Sequence, residues 1–169
     1  MVDLTHREDI EVHRAPQDVY RLVSDIARTG EWSPICTGCR WDDEAGPRLG
    51  AWFTGRNETS ERVWETRSQV VAADPGVEFA WLVGEGYVRW GFLLAPTPTG
   101  TRLTQTWEFR PAGIAMFHQR FGADAQTQID QRAAQAHAGI PASLAAIKRI
   151  TESEVSEPAA PRGDDAQIG

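Results

Sequence analysis

Few residues in this chain are placed to do chemistry. Polar side chains recur inside apolar, alternating stretches: Asn57 shares its parity with Phe53, Ser68 with Trp64, and Gln105 with Trp107. Side chains two apart on an extended chain point the same way, so each amide or hydroxyl would share a face with aromatic rings. A buried polar group without a partner costs about 1–3 kcal/mol. Such a face therefore implies an internal partner, a water, or a ligand whose polar group is being oriented. The second place is the string Cys36, Thr37, Gly38, Cys39. A redox pair of this spacing works at a helix N-terminus, where the thiolate is stabilised, whereas this string enters an extended stretch. Positions three apart on a strand stand roughly 10 Å from each other and face opposite ways, beyond disulfide reach. Structural zinc takes four ligands, and there is no second cysteine pair. Neither redox nor metal chemistry is expected.

The remaining candidates are weaker. His6, His13, His118 and His137 form no ligand pair, and His137, one turn before Pro141, reads as a surface or helix-packing residue. No nucleophile elbow, phosphate-binding loop or dinucleotide fingerprint is present, and Gly84-Glu85-Gly86 is a turn, so no cofactor is implied. Asp42-Asp43 and Asp164-Asp165 read as solvated charge in a turn and a tail. Met116, Phe117 and Phe121 would either gate an entrance or simply pack.

The elements that must position these groups follow from periodicity. Residues 4–13 alternate as a strand, and Pro16 opens a helix carrying Val19, Leu22, Val23 and Ile26 at helical spacing. Gly30 and Pro34 end it. Strands are predicted over residues 35–41, 51–57, 62–72, 77–83, 87–95 and 101–110, with most separators short and turn-like. Strands joined this tightly must be antiparallel. A helix is predicted over residues 123–153, striped by Ile129, Ala133, Ala136, Ile140, Leu144 and Ile147 and bent at Pro141. Residues 113–122 read as a short helix or a loop. A single domain over residues 1–153 and a disordered polar tail over residues 154–169 complete the plan.

Composition narrows the function class. The chain has 169 residues, 41% hydrophobic and 24% charged, as an ordinary globular domain has. A formal net charge of -7 without a basic cluster argues against nucleic acid, whose phosphates need one. The polar N-terminus and the lack of any long apolar run imply no signal peptide, no membrane span and a cytoplasmic location. The oligomeric state is not legible. Seven Trp exceed what a small core needs, so some of them would line a cavity or lie on the outer face of a sheet.

The order of elements resembles the polyketide cyclase/dehydrase and lipid-transport superfamily, the START-like or Bet v 1-like helix-grip proteins, and especially its small actinobacterial single-domain members. The segments carrying the resemblance are APQDVYRLVSDIARTGEWSP, GAWFTGRNE, WETRSQVVAADPG, YVRWGFLLAPTPTGTRLTQTWEF and GIPASLAAIKRI. It implies an α+β fold in which a seven-stranded curved antiparallel sheet grips a long C-terminal helix, with two short helices between the first two strands. It also implies a cavity for sterol-, lipid- or polyketide-like molecules. Joined to the face assignment, it makes Phe53, Asn57, Trp64, Ser68, Phe79, Trp81, Trp90, Phe92, Gln105, Trp107, Ile140 and Leu144 the candidate ligand-binding residues. Three readings stay open: a binder of small hydrophobic or aromatic molecules, a cyclase, aromatase or dehydratase using the same cavity, and a partner-binding module with a filled core. The second needs an inward acid or base, and none stands out on the predicted inner face.

Overall fold

A computed structural model describes residues 2–44 and 46–154. Most of the expected tail, residues 155–169 with Asp164 and Asp165, lies outside the described residues. Seven strands form one antiparallel sheet: β1 (Thr5–Val12), β2 (Cys36–Trp41), β3 (Trp52–Glu58), β4 (Val63–Asp74), β5 (Glu78–Val83), β6 (Val88–Thr97) and β7 (Gly100–Phe109). Their spatial order is β1-β7-β6-β5-β4-β3-β2, so β1 and β2, consecutive in sequence, sit at opposite edges. Helices α1 (Pro16–Ser24) and α2 (Thr29–Trp32) make that crossing. Helix α3 (Pro111–Phe121) leads into α4 (Ala125–Ser153).

Helix α1 starts where Pro16 needs no hydrogen bond for its missing N–H. It buries Val19, Leu22 and Val23, and Ile26 follows in the next turn. Each such side chain contributes about 1.5–3 kcal/mol on burial. They close one end of the sheet, where Tyr20 meets Phe79 edge-on at 6.3 Å and Trp32 meets Phe92 edge-on at 5.5 Å. Residues 113–122, left open between helix and loop, lie almost wholly in α3.

Helix α4 runs unbroken through Pro141 and buries the whole expected stripe, with Ser143 and Thr151 added to it. It lies closest to β1 and β7. Its C-terminal end is clamped to β1 and the turn after it. Lys148 Nζ donates to the Glu11 carbonyl at 2.7 Å, and the His13 N–H donates to Glu152 Oε1 at 2.9 Å. Arg14 Nη2 donates to the carbonyls of Glu152 and Glu154 at 2.8 and 3.0 Å. These are the last carbonyls of the helix, which have no partner within it. Glu154, the first residue of the expected tail, also accepts from Arg28.

Two sequence readings change. Asp42 is not free solvated charge: it accepts from Arg67 Nε at 2.6 Å and from Thr54 Oγ1 at 2.7 Å, tying the β2–β3 turn to β4. Strand β2 also carries a bulge, because Cys36 pairs with Asn57 and Gly38 with Arg56, leaving Thr37 as an extra residue. The bulge seats α2, since a Cβ on Gly30 would lie 2.3 Å from the Thr37 carbonyl oxygen. Gly38 has open space around the same position.

Two outcomes follow from these contacts. Gly30→Ala should cost about 1–3 kcal/mol in a urea titration, while Gly38→Ala should stay within about 0.5 kcal/mol of wild type. Arg67 first, then Thr54, holds the Asp42 carboxyl below the usual carboxylate range. Its stabilising contribution is therefore complete above about pH 5 and is lost as pH falls through the lowered folded value. Asp42→Asn should cost about 0.2–1 kcal/mol at neutral pH, and the gap to wild type should shrink steadily below about pH 4.

Candidate functional site: the concave face of the sheet

The concave face is built from alternate residues of all seven strands. Phe53 pairs with Ser68, Asn57 with Trp64, Trp81 with Trp90, and Phe92 with Gln105. The twelve residues expected to line a cavity divide into two groups. Phe53, Ser68, Phe79, Phe92, Gln105, Trp107, Ile140 and Leu144 are buried. Asn57, Trp64, Trp81 and Trp90 remain half-buried. The sheet is thus sealed at the α1–α2 end, around Phe79 and Phe92. It opens toward the β5–β6 turn, where Trp81 and Trp90 face each other across the ladder.

The rings form a connected track. Trp41 meets Phe53 at 5.6 Å, Phe53 meets Trp81 at 6.1 Å, and Trp81 meets Phe92 at 6.1 Å. On the other flank Trp90 lies 6.3 Å from Trp107. Polar atoms punctuate the track. Asn57 Nδ2 donates to Thr66 Oγ1 at 3.2 Å. Trp32 Nε1, Gln105 Oε1 and His137 Nε2 are buried with no partner among the described residues. An unsatisfied buried group is a place where water or a ligand atom belongs. A hollow of about 420 Å³ lies apart from this set, lined by Val2, Leu4, Ile114, Gln126, Ile129 and Asp130. None of the twelve residues borders it.

Ionisable groups are present on this face, contrary to the sequence reading. In β1, His6 pairs with Trp107 and Glu8 with Gln105, so both side chains point inward. His6 Nε2 and Glu8 Oε1 are 2.8 Å apart. The His6 ring stacks on His137 at 4.3 Å, and His137 meets Trp107 edge-on at 5.9 Å. The signal was available: His6 and Glu8 share their parity with Ile10 and Val12. His137 is no plain surface residue either, because its Nε2 is buried.

Arg132 was missed for a similar reason. It sits three residues after Ile129 and four before Ala136, on the apolar stripe of α4. Burial pushes its guanidinium pKa down, and the positive charges of Arg62 and Arg120 push it further. The Arg62 guanidinium lies 3.9 Å from the Trp64 ring centre, and that of Arg120 lies 5.3 Å from Phe121. Three cations therefore gather at the β3–β4 turn, the end of α3 and the start of α4. Burial lowers the pKa of the Arg62 guanidinium as well, and the charge of Arg120 lowers it further.

Other expectations resolve more simply. Phe117 lies 5.1 Å from both Phe109 and Phe121, which makes it packing rather than a gate. Trp52 lies under the Arg67 guanidinium at 4.3 Å. Neither forms the exposed apolar patch that a partner-binding module would need. Among the described residues no group of three or more His, Cys, Asp or Glu could hold a metal ion, and no helix is long and apolar enough to cross a membrane.

Comparison with known proteins agrees with this architecture. The family model described as polyketide cyclase / dehydrase and lipid transport matches residues 3–137. A Polyketide_cyc-like protein of Corynebacterium glutamicum is 49% identical, over 88% of this chain and 91% of that one, with a TM-score of 0.67. A protein of Nitrosomonas europaea shares the fold at 17% identity, over 87% of this chain and 93% of that one, with a TM-score of 0.62. So does the di-domain ARO/CYC protein StfQ of the steffimycin biosynthetic pathway, at 17% identity and a TM-score of 0.66. The match covers 89% of this chain and 51% of that two-domain protein. No curated protein matches.

The orphaned amide oxygen gives a direct test of the site. Gln105→Met removes a buried acceptor while nearly keeping volume, and should raise stability by about 1 kcal/mol in urea. A loss of stability instead would show that Gln105 is fully bonded inside the protein.

Proposed function

The chain belongs to the polyketide cyclase / dehydrase and lipid-transport family, and we propose that it binds a small aromatic or hydrophobic molecule carrying an acidic group against the concave face of its sheet. The observation that carries this reading is the half-burial of Trp81 and Trp90 on the middle strand β5 and its neighbour β6, two residues along from sealed Phe79 and Phe92. A face that was only core would bury its central rings most deeply. Trp41, Trp64, Trp81 and Trp90 supply flat apolar contact area, and Asn57 and Gln105 supply polar contacts that fix orientation. Arg132, with Arg62 and Arg120, supports the acidic end of the ligand.

A second reading rests on Glu8, His6 and His137. A carboxylate oxygen 2.8 Å from an imidazole nitrogen can hold that ring in one tautomer, and a second imidazole stacked on it lies beside Trp107. Such a set can move a proton at a carbonyl compound bound over the tryptophans, which is what a cyclase or dehydratase requires.

Two dyes separate these contributions. Anilinonaphthalene sulfonate is aromatic and anionic, and N-phenylnaphthylamine is its uncharged counterpart. Both should bind saturably, at about one per chain. Trp90→Ala should weaken both about tenfold, whereas Arg132→Met should weaken only the sulfonate about tenfold. Thermal melting run in parallel identifies variants that have simply unfolded, since a large-to-small change in a dry core costs about 3–5 kcal/mol. Unsaturable uptake, or equal affinity in a folded Trp90→Ala, would overturn the reading.

A further inference from the structure

We propose that Cys36 and Cys39 form a thiol–disulfide exchange site that reacts with low-molecular-weight disulfides and closes to an intramolecular disulfide. The expectation that these residues face apart fails because of the bulge in β2. One extra residue, Thr37, converts a separation of three into the equivalent of two. Cys36 then stands opposite Asn57 and Cys39 opposite Gly55, both on the concave face with Trp41. Their sulfurs are 3.4 Å apart.

The surroundings fit the pair. Gly55 lies under both sulfurs: a Cβ there would be 3.1 Å from Cys39 Sγ and 3.7 Å from Cys36 Sγ. A larger residue would crowd the place where the sulfurs meet. Strand β2 is an edge of the sheet, and both cysteines are half-buried rather than sealed. Either sulfur can donate in this contact, and the Cys36 thiol can also donate to the Gly38 carbonyl at 3.6 Å. With Cys39 donating, the hydrogen bond favours a thiolate at Cys36, whose pKa is pulled down to about 7. The same hydrogen bond, with burial, pushes the Cys39 thiol up, while the Thr29 side chain acts in the opposite direction. One sulfur is thereby set up to attack and the other to resolve.

The steps balance. The Cys36 thiolate attacks one sulfur of the external disulfide. A Cys36–S–S–R bond forms as the external S–S bond breaks, and the first RS⁻ leaves and is protonated by solvent. Cys39 gives its proton to solvent and attacks the Cys36 sulfur, displacing the second RS⁻. Two protein thiols are oxidised by two electrons, and one external disulfide is reduced to two thiols. This chemistry does not rest on the ligand reading, because it needs neither the tryptophan track nor the arginines.

Intact-mass measurement is unambiguous, since the chain has only these two cysteines. Wild-type protein reduced, desalted and exposed to oxidised glutathione should lose two hydrogen masses, with a glutathione adduct only transient. Dithiothreitol should restore the starting mass. Cys39→Ser should stop at the stable adduct of one glutathione. Cys36→Ser should react about 10-fold more slowly near neutral pH. An unchanged wild-type mass would overturn the proposal without reference to any variant. So would a wild-type adduct that persists, or a folded Cys36→Ser that reacts as fast as Cys39→Ser.

Discussion

The structure depends on a mismatch of widths: one helix covers a sheet of seven curved strands. Helix α4 lies against β1 and β7, at one edge, and the helix pair α1–α2 fills one end. What remains is the middle of the concave face toward the β5–β6 turn, and there the backbone supplies nothing to pack. Side chains must fill that space or leave it open. They do both: Phe79 and Phe92 complete the core beside the helix pair, while Trp41, Trp64, Trp81 and Trp90 stay half-buried. Four of the seven tryptophans make sense in these terms, because large rings cover a span that no helix reaches, while Trp32 and Trp107 belong to the buried core and Trp52 lies under Arg67.

The same geometry distributes charge. An acidic chain keeps its salt bridges mainly on the convex face and at the turns, as with Asp42 and Arg67 or Glu78 and Arg89. On the concave side, by contrast, a carboxylate–imidazole pair marks the β1 flank and a group of arginines marks the β3–β4 flank. Apolar rings lie between them. A molecule spanning the face would meet cation, ring and imidazole in turn, so its two ends would be chemically distinguished even though the walls are mostly aromatic.

Most of the architecture was legible in the sequence because it follows from period two, period 3.6 and turn chemistry. The strand order β1-β7-β6-β5-β4-β3-β2 needs little more than short connections and one crossing by α1–α2. Legibility ended where one residue breaks a period. Thr37 is an extra residue that alternation cannot announce, and it reverses the facing of Cys36 relative to Cys39. Arg132 differs: its charge interrupts the apolar stripe of α4, and a hydrophobic period carries no signal for a half-buried guanidinium standing on it. His6 and Glu8 reach the concave face through the parity they share with Ile10 and Val12, where polar side chains stand in place of the apolar ones that mark an inner face.

The clamp at the end of α4 has a mechanical meaning. Lys148, Arg14 and Glu152 fix the C-terminal half of the helix to β1 and the turn after it, and Pro141 leaves the His137 carbonyl without its intrahelical partner. The two halves of the rod are therefore fastened differently: directional hydrogen bonds hold the C-terminal half, whereas packing holds the N-terminal half, where Ile129, Ala133 and Ala136 are buried and His137 stacks on His6. Pro141 lies at the changeover, so the missing hydrogen bond falls between two independently anchored segments.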